Sequence, residues 1–250
     1  GFPKIDAKYF GIGPKEVWTV GAYTGSGKTF FCLQLALNIA KSQHKVCYFS
    51  LEMASESLVS RLWGNLAQVH PAKLEYGLLT LEELQLKINS RTELLALQNL
   101  LFMDDQTYTV TSIKNTVRDL DRMGKKPEVV FVDFVQNIQS QDDEYKKLTD
   151  AIVEIQKFAK ELDIAFVIAS QVSNVEAKEG TDSKIIGFKG SGGLAAATDF
   201  GLWLEKKVDY EAEYQAFSDI ELTFRKVRRG PNAKIKLKQY FPSGRIEEAA

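Results

Sequence analysis

Short runs of β-branched and aromatic residues alternate along this chain with longer segments in which apolar residues recur at helical spacing. Such runs predict strands, and the longer segments predict helices. In chain order we predict strand 16–21, helix 29–42, strand 45–50, helix 55–66, helix 80–99, strand 100–103, helix 111–123, strand 129–133, helix 146–162 and strand 164–170. This alternation predicts an α/β fold with a mostly parallel, twisted sheet flanked by helices.

Beyond residue 200 the apolar period changes to two. Residues 219–224 and 234–240 alternate in this way, and the turn-forming segment 229–232 lies between them, which predicts a hairpin. The sheet is therefore expected to end in a C-terminal antiparallel extension. The polar segments 139–144 and 174–193 are expected to be mobile loops.

The composition limits the chemistry that this chain can perform. It has 250 residues, 44% hydrophobic and 26% charged, with 32 basic against 33 acidic side chains, which fits one globular domain. Two cysteines and two histidines, without a CxxC motif, offer little for a zinc site or a Ser-His-Asp mechanism. Any catalysis must therefore use carboxylates, lysine, arginine or a bound metal.

Targeting signals are missing from the sequence. The apolar runs are no longer than a strand, and no signal peptide opens the chain, so we expect a cytoplasmic protein without a membrane span. The chain begins at Gly1 rather than at a methionine. We therefore expect either that an upstream part has been removed or that the protein works without one.

A phosphate-binding loop is predicted between the first strand and the first helix. The segment reads Gly21-Ala22-Tyr23-Thr24-Gly25-Ser26-Gly27-Lys28-Thr29. In such a P-loop the backbone N–H groups and the positive end of the following helix bind the phosphates of a nucleotide. Lys28 would reach the β- and γ-phosphates, and Thr29 would bind Mg²⁺. A glycine-rich turn without a ligand is the alternative, because Ala22 stands where the strict pattern has glycine.

Asp133 ends the apolar run 129–132, where a carboxylate is costly unless it has a partner. The Mg²⁺ ion at a P-loop commonly takes a second carboxylate from the end of a neighbouring strand, directly or through water. Asp133 is therefore predicted to complete the metal site. An aspartate that merely caps a loop is the alternative.

Several further motifs follow one another along the chain. They are Ala22 in the P-loop, Ser50-Leu51-Glu52-Met53 after the second strand, Asp133-Phe134-Val135-Gln136, Ser170-Gln171, Lys189-Gly190-Ser191-Gly192 with Asp199, and Lys226-Val227-Arg228-Arg229-Gly230-Pro231. On these residues the chain resembles the DnaB-type hexameric replicative DNA helicases over essentially its whole length. The resemblance implies a RecA-like P-loop NTPase core that uses ATP and Mg²⁺, with residues 1–250 forming the motor domain.

The resemblance also implies roles for residues around the nucleotide. Glu52 would be the general base that activates the attacking water, Gln171 would sense the γ-phosphate, and Arg61 would lie near the nucleotide. On physical grounds alone, Glu52 could instead stabilise a helix N-terminus, Gln171 could cap a loop, and Arg61 could be a solvated helical residue.

The resemblance also implies a catalytic role for the basic C-terminal hairpin. The resemblance implies that Lys226 and Arg228 enter the ATP site of the adjacent subunit and stabilise the transition state there. Their alternation places them on one strand face, with Arg225 and Arg229 on the other. Between residues 225 and 245 there are eight basic residues and no acid, which suggests a phosphate partner or an acidic neighbour. A solvated basic strand edge is the alternative.

DNA contacts are implied for the loop Lys189, Gly190, Ser191 and Gly192, with a flexible surface loop as the alternative. The implied partners are single-stranded DNA and further copies in a homo-hexamer. Primase and a helicase loader would bind through an N-terminal collar and linker helix that are absent from this chain. Two other functions stay open from the residues, a RecA-like recombination ATPase and an ATP-binding ring that does not translocate.

Overall fold

The computed structural model describes residues 1–105, 107–138, 144–172, 197–207 and 216–249. The strands in these ranges form one sheet in the order β3-β2-β4-β5-β1-β6-β7-β8-β9. Their bounds are β1 Val17–Tyr23, β2 Val46–Ser50, β3 Leu100–Met103, β4 Val129–Asp133, β5 Ala165–Val172, β6 Phe200–Lys206, β7 Phe217–Val227, β8 Lys234–Tyr240 and β9 Ile246–Glu248.

Helices cover both faces of this sheet. Their bounds are α1 Pro3–Tyr9, α2 Lys28–Lys41, α3 Ser55–Ala67, α4 Pro71–Tyr76, α5 Leu81–Ala96, α6 Val110–Arg122 and α7 Glu144–Leu162, with a 3₁₀ turn at Val135–Asn137. Each face of the sheet has its own apolar cluster. One cluster joins α2 and α3 to Trp18 and Phe200, and the other joins α6 and α7 to Phe166 and Trp203. The predicted α/β architecture is therefore confirmed.

The sheet is parallel from β3 to β6 and antiparallel from β6 to β9. The predicted hairpin is present, with Thr223 beside Lys234 and Phe217 beside Tyr240. Because the parallel strands run the same way, β1, β2, β4 and β5 all end at one edge, here called the phosphate edge. The edge where these strands begin is called the opposite edge.

The local signals predicted some boundaries better than others. Thr80 forms the predicted capping box with Glu83 at the start of α5. The helix ends at Ala96, however, and the prediction that it reaches residue 99 was wrong. The Asn99 amide instead donates to the carbonyls of Ala40 and His44, which holds this residue against the end of α2. The short elements α1, α4, β6 and β9 were not predicted.

The polar segments predicted to be mobile fall mostly outside the described residues. Residues 139–143 and 174–193 are in the undescribed ranges, and Glu144 begins α7. Within the described part, both cysteines are free and buried, and burial raises the pKa of the Cys47 thiol to about 12. Among the helices of that part, none is both long and apolar enough to cross a bilayer.

Candidate nucleotide-binding site

The predicted P-loop lies at the phosphate edge, between the end of β1 and the start of α2. Gly25 and Gly27 adopt left-handed backbone conformations with φ of +79° and +85°, which glycine adopts without strain. The Ser26 N–H donates to the Tyr23 carbonyl oxygen at 3.2 Å and closes the turn. Gly27 is the N-terminal cap residue of α2, so the free N–H groups of the first helical turn face an anion position.

Two buried charged atoms beside this loop have no hydrogen-bond partner among the described residues. The Lys28 side chain is buried, and its Nζ lies 4.2 Å from the centroid of the Phe134 ring. Asp133 is buried as well. Its Oδ2 accepts a hydrogen bond from the Tyr48 hydroxyl at 2.8 Å, while Oδ1 has no partner in the part of the chain that the structure describes. A buried charged group without a hydrogen-bond partner destabilises the folded protein. A ligand that offers phosphate oxygens to Lys28 and metal-bound water to Asp133 would satisfy both groups.

The electrostatics of this pair agree with their burial. Desolvation lowers the pKa of Lys28, and the negative charges of Asp133 and Glu52 partly oppose that effect. Burial, reinforced by the neighbouring Asp133 carboxylate, raises the pKa of the Tyr48 hydroxyl well above its usual range. Tyr48 therefore remains a hydrogen-bond donor to Asp133 at neutral pH.

A short turn after β2 presents Glu52 to the cleft. The Ser50 hydroxyl accepts the Met53 N–H at 3.1 Å and donates to the Met53 carbonyl at 2.7 Å. Leu51 is buried, and its N–H donates to the Asp133 carbonyl oxygen at 2.8 Å. These bonds fix the turn against β4 and leave the Glu52 carboxylate exposed at the cleft.

Gln136 ties the turn after β4 to the end of β5. Its Nε2 donates to the Gln171 carbonyl at 2.7 Å and to the Ser170 hydroxyl at 2.6 Å, and its Oε1 accepts the Gln171 N–H at 3.1 Å. Gln171 itself lines the cleft. A displacement of Gln171 would therefore be transmitted to the segment that follows Asp133.

The cleft has a volume of about 770 Å³, within the range of roughly 300 to 1,000 Å³ usual for small-molecule sites. Of the predicted nucleotide-binding residues, the loop contributes Thr24, Gly25, Gly27, Lys28 and Thr29 to its lining. Glu52, Arg61 and Gln171 line it too. Ser26 is buried beneath the loop. The structure thus brings these residues together at one cleft.

Four further residues that line the cleft were not predicted from the sequence. Gln239 and Phe241 come from the end of β8, Lys206 from the end of β6, and His70 from the start of α4. The Lys206 ammonium lies 4.6 Å from the centroid of the Phe241 ring, and burial lowers the pKa of Lys206. No local pattern marks these residues. The strand order brings Lys206, Gln239 and Phe241 to the phosphate edge, and the start of α4 brings His70 there.

Arg61 is half-buried and packs on Phe30 of α2. Its guanidinium lies 4.8 Å from the centroid of the Phe30 ring, and both residues line the cleft. Gly244, in the left-handed region at φ +69°, makes room for this ring, since a Cβ there would lie 2.1 Å from a Phe30 ring carbon. The interpretation of Arg61 as a solvated helical residue is therefore not favoured.

Lys226 and Arg228 lie away from the cleft of their own chain. Val227 pairs with Phe200, and Phe200 pairs with Trp18, so the end of β7 is level with the beginning of β1. With a rise of about 3.3 Å per residue, the end of β1 is roughly 15 Å further along the sheet. The pair therefore stands at the opposite edge, and a contact with the nucleotide of the same chain is excluded by this distance.

Arg228 has a partner within the chain. Its Nη1 lies 2.5 Å from Oδ1 of Asp199, a buried carboxylate whose Oδ2 accepts the Val17 N–H at 2.9 Å. Burial and the positive charge of Arg228 lower the pKa of Lys226, and the Asp199 carboxylate opposes them. Both cations thus lie at the opposite edge, close to the Asp199 carboxylate.

The prediction that Arg225 and Arg229 lie on the same strand face was wrong. The Arg225 guanidinium lies 4.3 Å from the centroid of Trp203, whereas that of Arg229 lies 5.7 Å from Phe200, on the other face of β6. A β-bulge between Gly201 and Leu202 shifts the strand register at this point and breaks the alternation.

The basic stretch is also less segregated than its sequence indicates. Lys234 lies 2.8 Å from Glu221, and Lys236 and Lys238 pair across the hairpin with Glu221 and Asp219. Acids of the preceding strand therefore balance part of its charge.

The remaining predicted residues concern DNA and metal. Lys189, Gly190, Ser191 and Gly192 lie outside the described residues. Within the described part, no group of three or more His, Cys, Asp or Glu side chains could hold a metal ion. Thr29 and Asp133 remain the predicted protein contribution to Mg²⁺, and an ion there would depend on phosphate oxygens for most of its ligands.

Comparison with known proteins gives a consistent result. The profile of the DnaB-like helicase C terminal domain matches residues 1–246. The replicative DNA helicase DnaB of Haemophilus influenzae is 27% identical over 245 residues, which are 95% of this chain and 52% of that protein. The replicative DNA helicase DnaC of Bacillus subtilis is 27% identical over 243 residues, 95% of this chain and 53% of that protein. The chain thus spans about half the length of these relatives.

Two solved structures share the fold. One is a DnaB-like replicative helicase, described with its interactions with primase; its TM-score is 0.84 at 21% identity, over 100% of this chain and 61% of that one. The other is an ATPase domain, with a TM-score of 0.86 at 21% identity, over 100% of this chain and 90% of that one. At this identity the likeness shows the fold alone, and it confirms the predicted RecA-like α/β core.

Proposed function

The chain belongs to the DnaB-like helicase C terminal domain family, and from that premise we propose that residues 1–250 are the ATP-hydrolysing motor domain of a replicative DNA helicase. The observation that carries the proposal is a pair of buried atoms beside the P-loop that have no hydrogen-bond partner in the described ranges, Lys28 Nζ and Asp133 Oδ1. A triphosphate with its metal would satisfy both. The relatives in this family are replicative helicases, which favours this function over a recombination ATPase or a passive ring.

The proposed reaction is in-line attack of water on the γ-phosphorus of ATP. The loop N–H groups and Lys28 hold the phosphates, and Glu52 orients the water and accepts its proton. The bond to the β,γ-bridging oxygen breaks, and ADP and phosphate leave. Thr29 and Asp133 would hold Mg²⁺, which neutralises charge on the phosphates when bound. The exposed turn at Glu52 suits this role, because water reaches it freely.

We infer that the active site is completed by a neighbouring copy. Lys226 and Arg228 stand at the opposite edge of the sheet, so a head-to-tail arrangement would bring them to the next chain's cleft. Cationic groups supplied in this way stabilise the charge on the transferred phosphoryl group and are worth about 10³ to 10⁵ in rate. A closed head-to-tail ring, proposed here as a homo-hexamer, would give every cleft such a partner.

Single-stranded DNA is the proposed polymer substrate. The predicted contact loop, Lys189 to Gly192, follows Gln171 in the chain, and Gln171 lines the nucleotide cleft. The Gln136 side chain holds Gln171 on both its N–H and its carbonyl, so a change at the γ-phosphate that moves Gln171 would also reach the turn after Asp133. Cytoplasmic location, and primase or loader binding through other parts of the protein, belong to the same proposal.

Glu52→Gln tests the catalytic assignment. The glutamine keeps the size of the side chain but cannot accept the proton, so ATP binding should persist while turnover falls at least about 100-fold. Glu56→Gln, an exposed carboxylate on α3, is the matched control and should leave turnover within twofold. Normal turnover in Glu52→Gln would refute the role of this residue.

Mixing variants tests the shared site. Arg228→Ala and Glu52→Gln would each be nearly inactive alone, yet mixed rings contain some interfaces with an intact cleft and an intact Arg228. Partial recovery of ATPase activity is expected at intermediate mixing ratios, together with stimulation by single-stranded DNA. If no ratio restores activity while both variants assemble with each other, the cleft is not completed in trans.

A further inference from the structure

Tyr48 is held rigidly in the middle of the sheet. It lies in β2, is fully buried, and stacks on Phe131 with ring centroids 5.4 Å apart and planes inclined by 11°. Phe102 packs on it from β3 at 5.7 Å. Its hydroxyl donates to Oδ2 of Asp133 at 2.8 Å.

The Asp133 carboxylate has another possible partner that it does not use. Lys28 is also buried, and the Asp133 carboxylate is near enough to oppose the lowering of the Lys28 pKa by burial, yet no ion pair joins them in the described part of the chain. Opposite charges removed from water attract strongly. A direct pair between them would satisfy both groups, but it would also use the atoms that the phosphates and metal-bound water need.

We propose that Tyr48 is a positioning residue that holds the Asp133 carboxylate away from Lys28 and directs its free Oδ1 toward the Mg²⁺ ion of the bound nucleotide. This inference rests on the proposed function of the cleft. The hydroxyl acts through Asp133 and touches neither nucleotide nor metal. Partners of this kind commonly change metal affinity by about 10- to 100-fold when they are removed.

A purely structural Tyr48 would behave differently. Both readings predict some loss of stability when the hydroxyl is removed, because a buried carboxylate oxygen loses its donor. Only the positioning role predicts weaker metal binding in a folded protein. Tyr9 offers a matched control, since it is equally buried and its hydroxyl donates to the Pro231 carbonyl at 2.8 Å, near the opposite edge.

The experiment compares wild type, Tyr48→Phe and Tyr9→Phe as full chains. Mn²⁺ binding is titrated by electron paramagnetic resonance with a saturating non-hydrolysable ATP analogue, and folding is checked by thermal unfolding. Tyr48→Phe is expected to raise the Mn²⁺ Kd about 10-fold, at the lower end of the range because Asp133 can act through water. Tyr9→Phe should stay within twofold of wild type.

A double variant makes the result specific. Asp133→Asn should weaken Mn²⁺ binding by itself, and adding Tyr48→Phe to it should cause little further loss, because the hydroxyl acts through the carboxylate. A Tyr48→Phe Kd within twofold of wild type, or fully additive losses, would overturn the positioning role while leaving the nucleotide site in place. Failure of the wild-type chain to bind Mn²⁺ and the analogue would instead overturn the proposed function itself, and the inference with it.

Discussion

Replacing Arg228 by alanine is expected to destabilise the chain on its own, before any neighbour is involved. The Asp199 carboxylate is 3% exposed, and of its polar partners on the described residues given above it would keep the Val17 N–H at 2.9 Å. Hydrogen bonds to charged groups contribute about 1.5 to 3 kcal/mol. The Arg228 side chain is 56% exposed, and solvent screening reduces this to about 1 to 2 kcal/mol.

For a domain of this size, each kcal/mol shifts Tm by roughly 2 to 4 °C, so Arg228→Ala should lower Tm by about 2 to 8 °C. Circular dichroism during heating at pH 7 measures the shift. Adding Asp199→Asn should recover part of it, because the neutral amide oxygen can still accept the Val17 N–H. A Tm equal to that of wild type, or no recovery in the double variant, would refute the reasoning.

Three further outcomes are expected. Gly244→Ala should cost about 3 kcal/mol in urea unfolding, because its Cβ would lie 2.1 Å from Phe30 at a φ of +69°. Lys28→Ala should abolish the stabilisation by ATP, about 2.7 kcal/mol for wild type at 100 times Kd, read as a thermal shift. Cys32 and Cys47 should resist thiol reagents at pH 8 and react only on unfolding, because burial raises the pKa of both and that of Cys47 to about 12.

The fold was predictable where the chain's own periodicity decides it. Strands β2, β3 and β4 are almost unbroken apolar runs, and the start of α5 is set by Thr80 and Glu83 within one turn. The short helix α4 has six residues and no buried face, so no period marks it. In β6, Gly201 interrupts the apolar run, so the sequence does not mark a strand there. The strand forms because β1 and β7 pair with it on either side.

The candidate site divides in the same way. The P-loop, Glu52 and Asp133 were predictable because strand ends in a parallel sheet meet at one edge. The contact of Tyr48 with Asp133 was not, since it depends on the register of β2 against β4. Gln239 and Phe241 reach the cleft only through the strand order of the antiparallel extension. Such contacts carry no signal in the neighbouring residues.

The placement of the P-loop and of Arg228 at opposite ends of the same sheet also sets a counting rule for assemblies of the proposed head-to-tail kind. In an open, linear oligomer, the cleft of one terminal subunit receives no cations from a neighbour. The cations of the other terminal subunit reach no cleft, so one site is always incomplete. A short open oligomer therefore has a large fraction of incomplete sites, whereas a closed ring has none. Specific activity per chain should therefore rise with the length of the oligomer and reach its ceiling when the two ends meet.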